Sequence, residues 1–281
     1  MILVTGATGK VGSEAVRLLA RQQTPVRALV RHRRDVTALA DLGAEIVEGD
    51  FEKPATLDAA LTGVSTVILV SPAVAVQELN VVHGAASAGV GHIVKITSKA
   101  SADSPIARRR AQTEIEAGLA KSGIDHTLVR SNAYMQNVLA LAPAIAKTSS
   151  FGSSAGDGRI GMIDARDVAA AAATIAATPA AHTGQTYWLS VPETITYSHV
   201  ATVLTHLLGR TITFRHRSFE EDRRSMIAAG IPEPIATMNA QAFSLIADGD
   251  ADWISNDLPS LLHRPARSFE QFAADYAAAF S

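Results

Sequence analysis

The sequence predicts an α/β fold, a doubly wound parallel sheet with a small, mostly helical C-terminal part, and three observations lead there. Short β-rich runs alternate with longer helical patterns through the first two-thirds of the chain, the rhythm of βαβ units. The runs are apolar at successive rather than alternate positions, so both faces of each strand must be covered by helices. A glycine-spaced turn joins the first run to the first helix.

Taken in order, residues 2–5 form the first strand, because Met1-Ile2-Leu3-Val4-Thr5-Gly6 lacks the basic region, long apolar run and cleavage pattern of a targeting signal. Further strands are expected at 26–30, 45–48, 66–70, 92–96 and 126–129. Helices are expected between them at 11–22, 36–42, 55–61, 76–88 and 107–122. Gly43, Gly63, Gly89 and Gly123 stand where helices close. Beyond Arg130 come a Ser/Gly-rich stretch over 149–158, a strand at 159–163, an alanine-rich helix over 168–181 and a strand at 185–189. These extend the sheet. From Pro192 onward the pattern is mostly helical, with one β-like run at 211–215 and with Pro232, Pro234, Pro259 and Pro265 as helix breakers. The expected organisation is a dinucleotide-binding domain over 1–190 and a C-terminal cap over 191–281 that shares its core and shapes the substrate pocket.

At 281 residues and 47% hydrophobic content the chain can bury a sizeable core, which excludes disorder. It has no cysteine, so disulfides, thiolate nucleophiles and cysteine-held metals are excluded, and a cytoplasmic location is the default. A net charge of −2 gives no basic field to attract nucleic acid or an anionic membrane. The alanine-rich segment is too short and too poor in leucine to span a bilayer. His83, His92, His199 and His206 show no metal-ligand spacing, and no metal is expected. The partner is a small molecule.

Gly6-Ala7-Thr8-Gly9-Lys10-Val11-Gly12 follows the first strand and opens the first helix, so its N–H groups and the positive end of the helix dipole can face a pyrophosphate. The spacing is GxxGxxG, and its place between strand and helix makes it the loop of a Rossmann fold. At the end of the second strand, where NAD-specific proteins carry a carboxylate for the ribose hydroxyls, this chain has Arg31. The run Arg31-His32-Arg33-Arg34 offers guanidinium groups to a 2′-phosphate, with Arg31 foremost, and favours NADP(H), with NADPH preferred over NADH. The alternative is a solvated basic turn with Asp35 beginning the next helix. Asp50 and Phe51, closing the third strand, suit an adenine ring, or Asp50 is a turn residue. Ser71, and Thr97-Ser98-Lys99, end the fourth and fifth strands, where open α/β sheets bind ligands. Ser98 also reads as a turn hydroxyl and Lys99 as a surface lysine. Asp164 to Asp167 reads as a helix cap or packing anchor. Tyr134, Met135 and Asn137 are either a substrate wall or ordinary core.

The whole chain resembles the NmrA-like atypical short-chain dehydrogenase/reductases, especially their quinone-, triphenylmethane-dye- and azo-reducing members. The likeness is carried by residues 5–12, Arg31, Gly49-Asp50-Phe51, Thr97-Ser98, Thr113-Glu114 with residues 119–124, residues 127–134 and residues 163–169, and it weakens beyond about 190. It implies an NADPH-preferring cytosolic protein in which Gly6, Thr8, Gly9, Val11 and Gly12 line the pyrophosphate, Arg31 the 2′-phosphate, and Asp50 and Phe51 the adenine. Lys10 belongs to the same loop. By the same likeness Ser71, Thr97 and Asn132 to Tyr134 border the nicotinamide and the substrate. One departure bears on function. Related enzymes place a Tyr-x-x-x-Lys pair on the helix after the fifth strand, the lysine lowering the tyrosine pKa for proton transfer to a carbonyl. Here that helix begins Ala107-Arg108-Arg109-Arg110-Ala111-Gln112-Thr113-Glu114, with neither residue. The expected activity is therefore hydride transfer from NADPH to a quinone or similar conjugated aromatic acceptor. Ser98, Lys99 and Tyr134 are the candidate catalytic groups. The alternative is a non-catalytic NADP(H) redox sensor that regulates a protein partner. A monomer or homodimer fits either reading.

Overall fold

The structure, a computed structural model, describes residues 1–32 and 36–281. Seven strands form one sheet in the order β3-β2-β1-β4-β5-β6-β8, with every neighbouring pair parallel. They are β1 (Ile2–Val4), β2 (Val26–Val30), β3 (Glu45–Glu48), β4 (Thr66–Leu69), β5 (His92–Thr97), β6 (Asp125–Ser131) and β8 (Thr186–Leu189). Chain order reverses between β1 and β4, the switch point at which open sheets leave a crevice.

Strand alternation divides the apolar side chains between two helical layers. Ile2, Val4, Ala28, Ile68, Val94 and Val129 face α1 (Lys10–Arg21) and α7 (Ala165–Ala177), which pack on each other. Leu3, Leu29, Val67, Leu69 and Ile93 face α3 (Leu57–Leu61), α4 (Ala75–Ser87) and α5 (Ala107–Lys121). Both faces are dry, which is why the strands read as continuous apolar runs. In α1 the buried set Val11, Gly12, Ala15, Val16 and Leu19 repeats at helical spacing, so one stripe meets the sheet. The short α2 (Thr37–Ala40) precedes β3. Gly43, Gly63, Gly89 and Gly123 all have positive φ, as helix-closing glycines should.

The C-terminal half corrects two expectations. Residues 159–163 are not a strand of the sheet, for they pair only through isolated bridges, Ile160 with Ile195 and Ile163 with Tyr134. The cause is Gly161, which lets another segment come so close that a Cβ there would overlap the Trp253 carbonyl oxygen. The strand lies instead in the Ser/Gly-rich stretch, as β7 (Ser150–Ser153), paired parallel with β9 (Thr213–His216) in a separate two-stranded sheet. Its one large apolar residue, Phe151, packs with Phe214 at 5.5 Å. The alanine-rich helix begins earlier, at Ala165, where Asp164 caps it by accepting from the Arg166 N–H, and ends at Ala177.

The remaining helices are α6 (Ala142–Thr148), α8 (Tyr197–Leu208), α9 (Phe219–Ala228), α10 (Glu233–Ala247), α11 (Asp257–Leu262), α12 (Phe269–Asp275) and α13 (Ala277–Phe280). Capping boxes open α9 at Ser218 and α12 at Ser268. Pro232 and Pro234 start α10, and Pro259 sits in the first turn of α11, where a missing N–H costs nothing. They open helices instead of breaking them. The apolar cluster holding Ile2 also holds Tyr197, Leu204, Phe272 and Phe280.

Candidate functional site

The turn after β1 is built so that backbone can be approached closely. Thr5 ties it to β4, its Oγ1 donating to the Val70 carbonyl and accepting from the Val70 N–H, both at 2.8 Å. Gly6 has φ +56°, and a Cβ there would lie 2.7 Å from the Val70 oxygen. Gly9 donates to the Gly6 carbonyl at 2.9 Å, and a Cβ on Gly12 would overlap that same carbonyl. Helix α1 starts on Gly9 with no side-chain cap. Its first-turn N–H groups are left for an external anion. Gly6, Thr8, Gly9 and Lys10 are exposed, while Val11 and Gly12 are buried beneath them. Lys10 is exposed along its stem, but its ammonium donates to the Gln136 carbonyl at 3.3 Å, and partial desolvation at that end lowers its pKa.

Arg31 is exposed at the end of β2 and makes no hydrogen bond or ion pair among the described residues. Arg33, Arg34 and Asp35 lie outside the described residues. Asp50 forms an Asx turn, its Oδ1 accepting from the Glu52 N–H at 3.0 Å while its own N–H donates to Thr56 Oγ1 at 2.8 Å. Phe51 is half-buried against the core under α3 and α4, and Asn80 donates to its carbonyl at 2.8 Å. Arg31, Asp50 and Phe51 thus stand together over β2 and β3, on one side of the glycine turn.

On the other side, the ends of β4, β5 and β6 gather the second group. Ser71 donates to Glu78 Oε1 at 2.5 Å, and the other oxygen of that carboxylate meets the Lys95 ammonium at 2.7 Å. Thr97 donates to Glu116 at 3.1 Å, and Arg130 binds the same carboxylate at 2.5 Å. The Ser98 hydroxyl oxygen is buried with no hydrogen-bond partner among the described residues. Burial raises the Tyr134 phenol, against a hydrogen bond to Ser131 and the charge of Arg108, so it stays protonated at neutral pH. Asn132 is spoken for by backbone: its amide nitrogen donates to the Ala251 carbonyl at 3.0 Å and its oxygen accepts from the Ala133 N–H at 2.7 Å. Lys99 is tied down too, its ammonium 2.7 Å from Asp250, which also holds Arg109 at 2.5 Å. Burial works to raise the Asp250 carboxyl, but the Arg109 and Lys99 contacts outweigh it and hold the pKa below the usual range. The helix after β5, α5, carries no tyrosine.

Several of these partners escaped the sequence reading. Glu78, Glu116 and Asp250 look like ordinary helix or turn acids, and Lys95, a cation in the mostly apolar run of β5, was the one sequence hint, though it does not name its partner. An open cavity of about 500 Å³ is lined by Lys99, Trp188, Trp253, Ile254, Ser255 and Asp257. Its two indoles meet edge-on at 5.4 Å, and the Arg130 guanidinium lies 5.0 Å from the centre of the Trp188 ring. Thr97, Arg130 and Trp188 are direct neighbours across β5, β6 and β8. At about 4.8 Å per strand, the Trp188 wall of the cavity stands roughly 10 Å from Thr97 at the end of β5, while Lys99, two residues past that end, lines the cavity directly. Among the described residues no group of three or more His, Asp or Glu could hold a metal ion, and no helix is long and apolar enough to cross a membrane.

A doubly wound parallel sheet with this glycine turn at its switch point is a Rossmann-type α/β protein. Within that class the chain belongs to the NmrA-like family, whose model matches residues 1–272. It is 36% identical to the NAD(P)H azoreductase of Xenophilus azovorans, over 100% of this chain and 99% of that protein. The crystal structure of an NADPH-dependent quinone oxidoreductase from Escherichia coli, complexed with NADPH, superposes with a TM-score of 0.90 at 30% identity, covering 99% of this chain and 100% of that one. A Citrobacter triphenylmethane reductase complexed with NADP(H) gives a TM-score of 0.88 at 29% identity, over 99% and 100% of the two chains.

Proposed function

We propose that this protein is an NADPH-dependent oxidoreductase of the cytoplasm that reduces a quinone or a similarly conjugated aromatic acceptor. The observation that carries the reading is the glycine cradle: side chains are excluded at Gly6 and Gly12, and the uncapped first turn of α1 opens directly above. This fits a dinucleotide pyrophosphate, and Arg31 beyond it, without a partner among the described residues, fits a 2′-phosphate. The buried Ser98 hydroxyl, which has no hydrogen-bond partner among the described residues, fits a ligand's polar group at the other end. Relatives named an NAD(P)H azoreductase and an NADPH-dependent quinone oxidoreductase support the same assignment.

The bound cofactor supplies the hydride; the chain's own residues bind, orient and exclude water. In this reading the glycine turn with Thr8 and Lys10 holds the pyrophosphate, Arg31 selects NADPH over NADH, and Asp50 and Phe51 flank the adenine. Ser71, Thr97 and Asn132 border the nicotinamide half. Residues 1–190 thereby carry the cofactor, and residues 191–281 close the acceptor side. Trp188 and Trp253 offer flat apolar surface to a conjugated ring system. With no tyrosine on α5, no lysine-activated phenol protonates a carbonyl oxygen there, and the Tyr134 phenol, which burial keeps neutral, is the candidate to supply a proton to the reduced acceptor. Lys99, paired with Asp250, holds the C-terminal segment in place rather than taking part in chemistry.

The test is NADPH oxidation across a panel of quinones, triphenylmethane dyes and azo dyes, with NADH and acceptor-free controls. Acceptor-dependent turnover that prefers NADPH is expected. Tight NADPH binding without turnover on any acceptor would overturn the enzyme reading in favour of a redox sensor.

A further inference from the structure

Beneath the crevice, at the interface of β4, β5 and α4, lies an ion pair that the proposed reaction does not use directly. Lys95 and Glu78 are both fully buried. Lys95 also donates to the Ile96 carbonyl at 2.6 Å. A pair this deep loses the hydration of two charges, and apolar residues of the same volume would stabilise the fold as well or better. Stability alone therefore does not account for it. Its outer end reaches the crevice through one hydroxyl: Ser71 donates its only proton to Glu78 and accepts from the Ala73 N–H at 3.0 Å. That second bond closes a turn in which Ala73, not a glycine, takes φ +62°.

Counting donors and acceptors gives the consequence. A serine hydroxyl has one proton and two lone pairs. Here the proton is committed to one oxygen of Glu78, whose other oxygen meets Lys95, and one lone pair is committed to Ala73. What Ser71 presents at the end of β4 is a single lone pair, an acceptor with no freedom to become a donor.

We propose that Glu78 and Lys95 are positioning residues that lock Ser71 as a hydrogen-bond acceptor for an N–H or O–H donor on the nicotinamide half of the cofactor. This rests on the NADPH reading above. Two donors on that half share the required chemistry, the carboxamide amine and the ribose hydroxyls.

The experiment measures NADPH affinity by titration, with thermal melting as the check on folding. Glu78→Leu/Lys95→Met removes the pair without leaving a buried charge; Glu78→Gln/Lys95→Met also removes the charges but keeps a carbonyl oxygen for Ser71 to donate to. The Leu/Met variant and Ser71→Ala are each expected to weaken NADPH by about tenfold or more, the scale of one lost bond to a fixed partner. The Gln/Met variant should stay within about threefold of wild type, and adding Ser71→Ala to Leu/Met should cost nothing further, because all act through one hydroxyl. Unchanged affinity in Ser71→Ala or in a folded Leu/Met variant overturns the proposal while leaving the NADPH reading intact. Should Leu/Met fail to fold, Ser71→Ala against Gln/Met decides alone. A wild-type protein that binds no NADPH sinks both readings. Replacing NADPH by its reduced acetylpyridine analogue, which has no carboxamide amine, separates the two donors. An effect of Ser71→Ala confined to NADPH marks the amine, and an equal effect on both cofactors marks the ribose.

Discussion

Arg31 and Gly12 carry the most information per atom. With no carboxylate partner among the described residues, the Arg31 guanidinium is the proposed contact of a 2′-phosphate, so Arg31→Ala should weaken NADPH by about 1.5–3 kcal/mol and leave NADH almost unchanged. Parallel titrations with the two cofactors check this; an equal loss for both would remove the 2′-phosphate assignment. Gly12→Ala drives a methyl into the Gly6 carbonyl, and the turn must shift to admit it. The expected result is a loss of about 1–3 kcal/mol in stability, seen in denaturant melts, together with weakened NADPH binding. Both residues were legible in the sequence because their reasons are local: a glycine needed by backbone geometry, and a charge at a strand end. Lys95 and Glu78 were not, since their meaning depends on a contact between a strand and a helix that no local pattern records.

Among the elements, α7 shows how a cap becomes an anchor. Asp164 is fully buried and accepts from the Arg166 N–H and side chain and from Gln136. Asp164→Ala removes the cap, leaves the buried Gln136 amide without its acceptor and takes from Arg166 one of its two carboxylate partners, the other being Asp275, and should lower stability by about 2–4 kcal/mol in thermal or chemical melts. A loss below about half a kcal/mol would mean that the network is incidental. The cap was readable from an acid just before an apolar run. The strands up to β6 were equally readable, because most runs are apolar on both faces and four of the five intervening helices, all but α1, close on glycine. Beyond β6 the pattern misled. Residues 159–163 look like a strand but bury their apolar side chains under the C-terminal segment, whereas Ser150–Ser153 forms a strand with only Phe151 to announce it. Tertiary packing decided both outcomes, and periodicity does not encode it.

For the molecule as a whole, the carboxyls that pin the C-terminal half set its behaviour in acid. At Asp164 burial favours the neutral form, but the hydrogen bonds from Arg166 and Gln136 outweigh it, and the Lys99 and Arg109 contacts do the same at Asp250. Both folded pKa values therefore lie below the ordinary 3.8, so near that pH the unfolded chain binds these protons more readily than the folded one. Their stabilisation is fully present above the unfolded value and is lost as pH falls through the folded values. Acid melts should steepen below about pH 4 and flatten in Asp250→Asn, which gives up its share of this dependence. A variant as acid-sensitive as wild type would remove Asp250 from the account. The central claim, however, concerns hydride transfer. The most direct measurement compares acceptor-dependent oxidation of NADPH with that of NADPH deuterated at the transferable position, using whichever acceptor turns over fastest. Slower oxidation of the deuterated cofactor, with one two-electron reduction of the acceptor per NADPH consumed, is the predicted result, and cofactor that binds yet is never oxidised by any acceptor would contradict it.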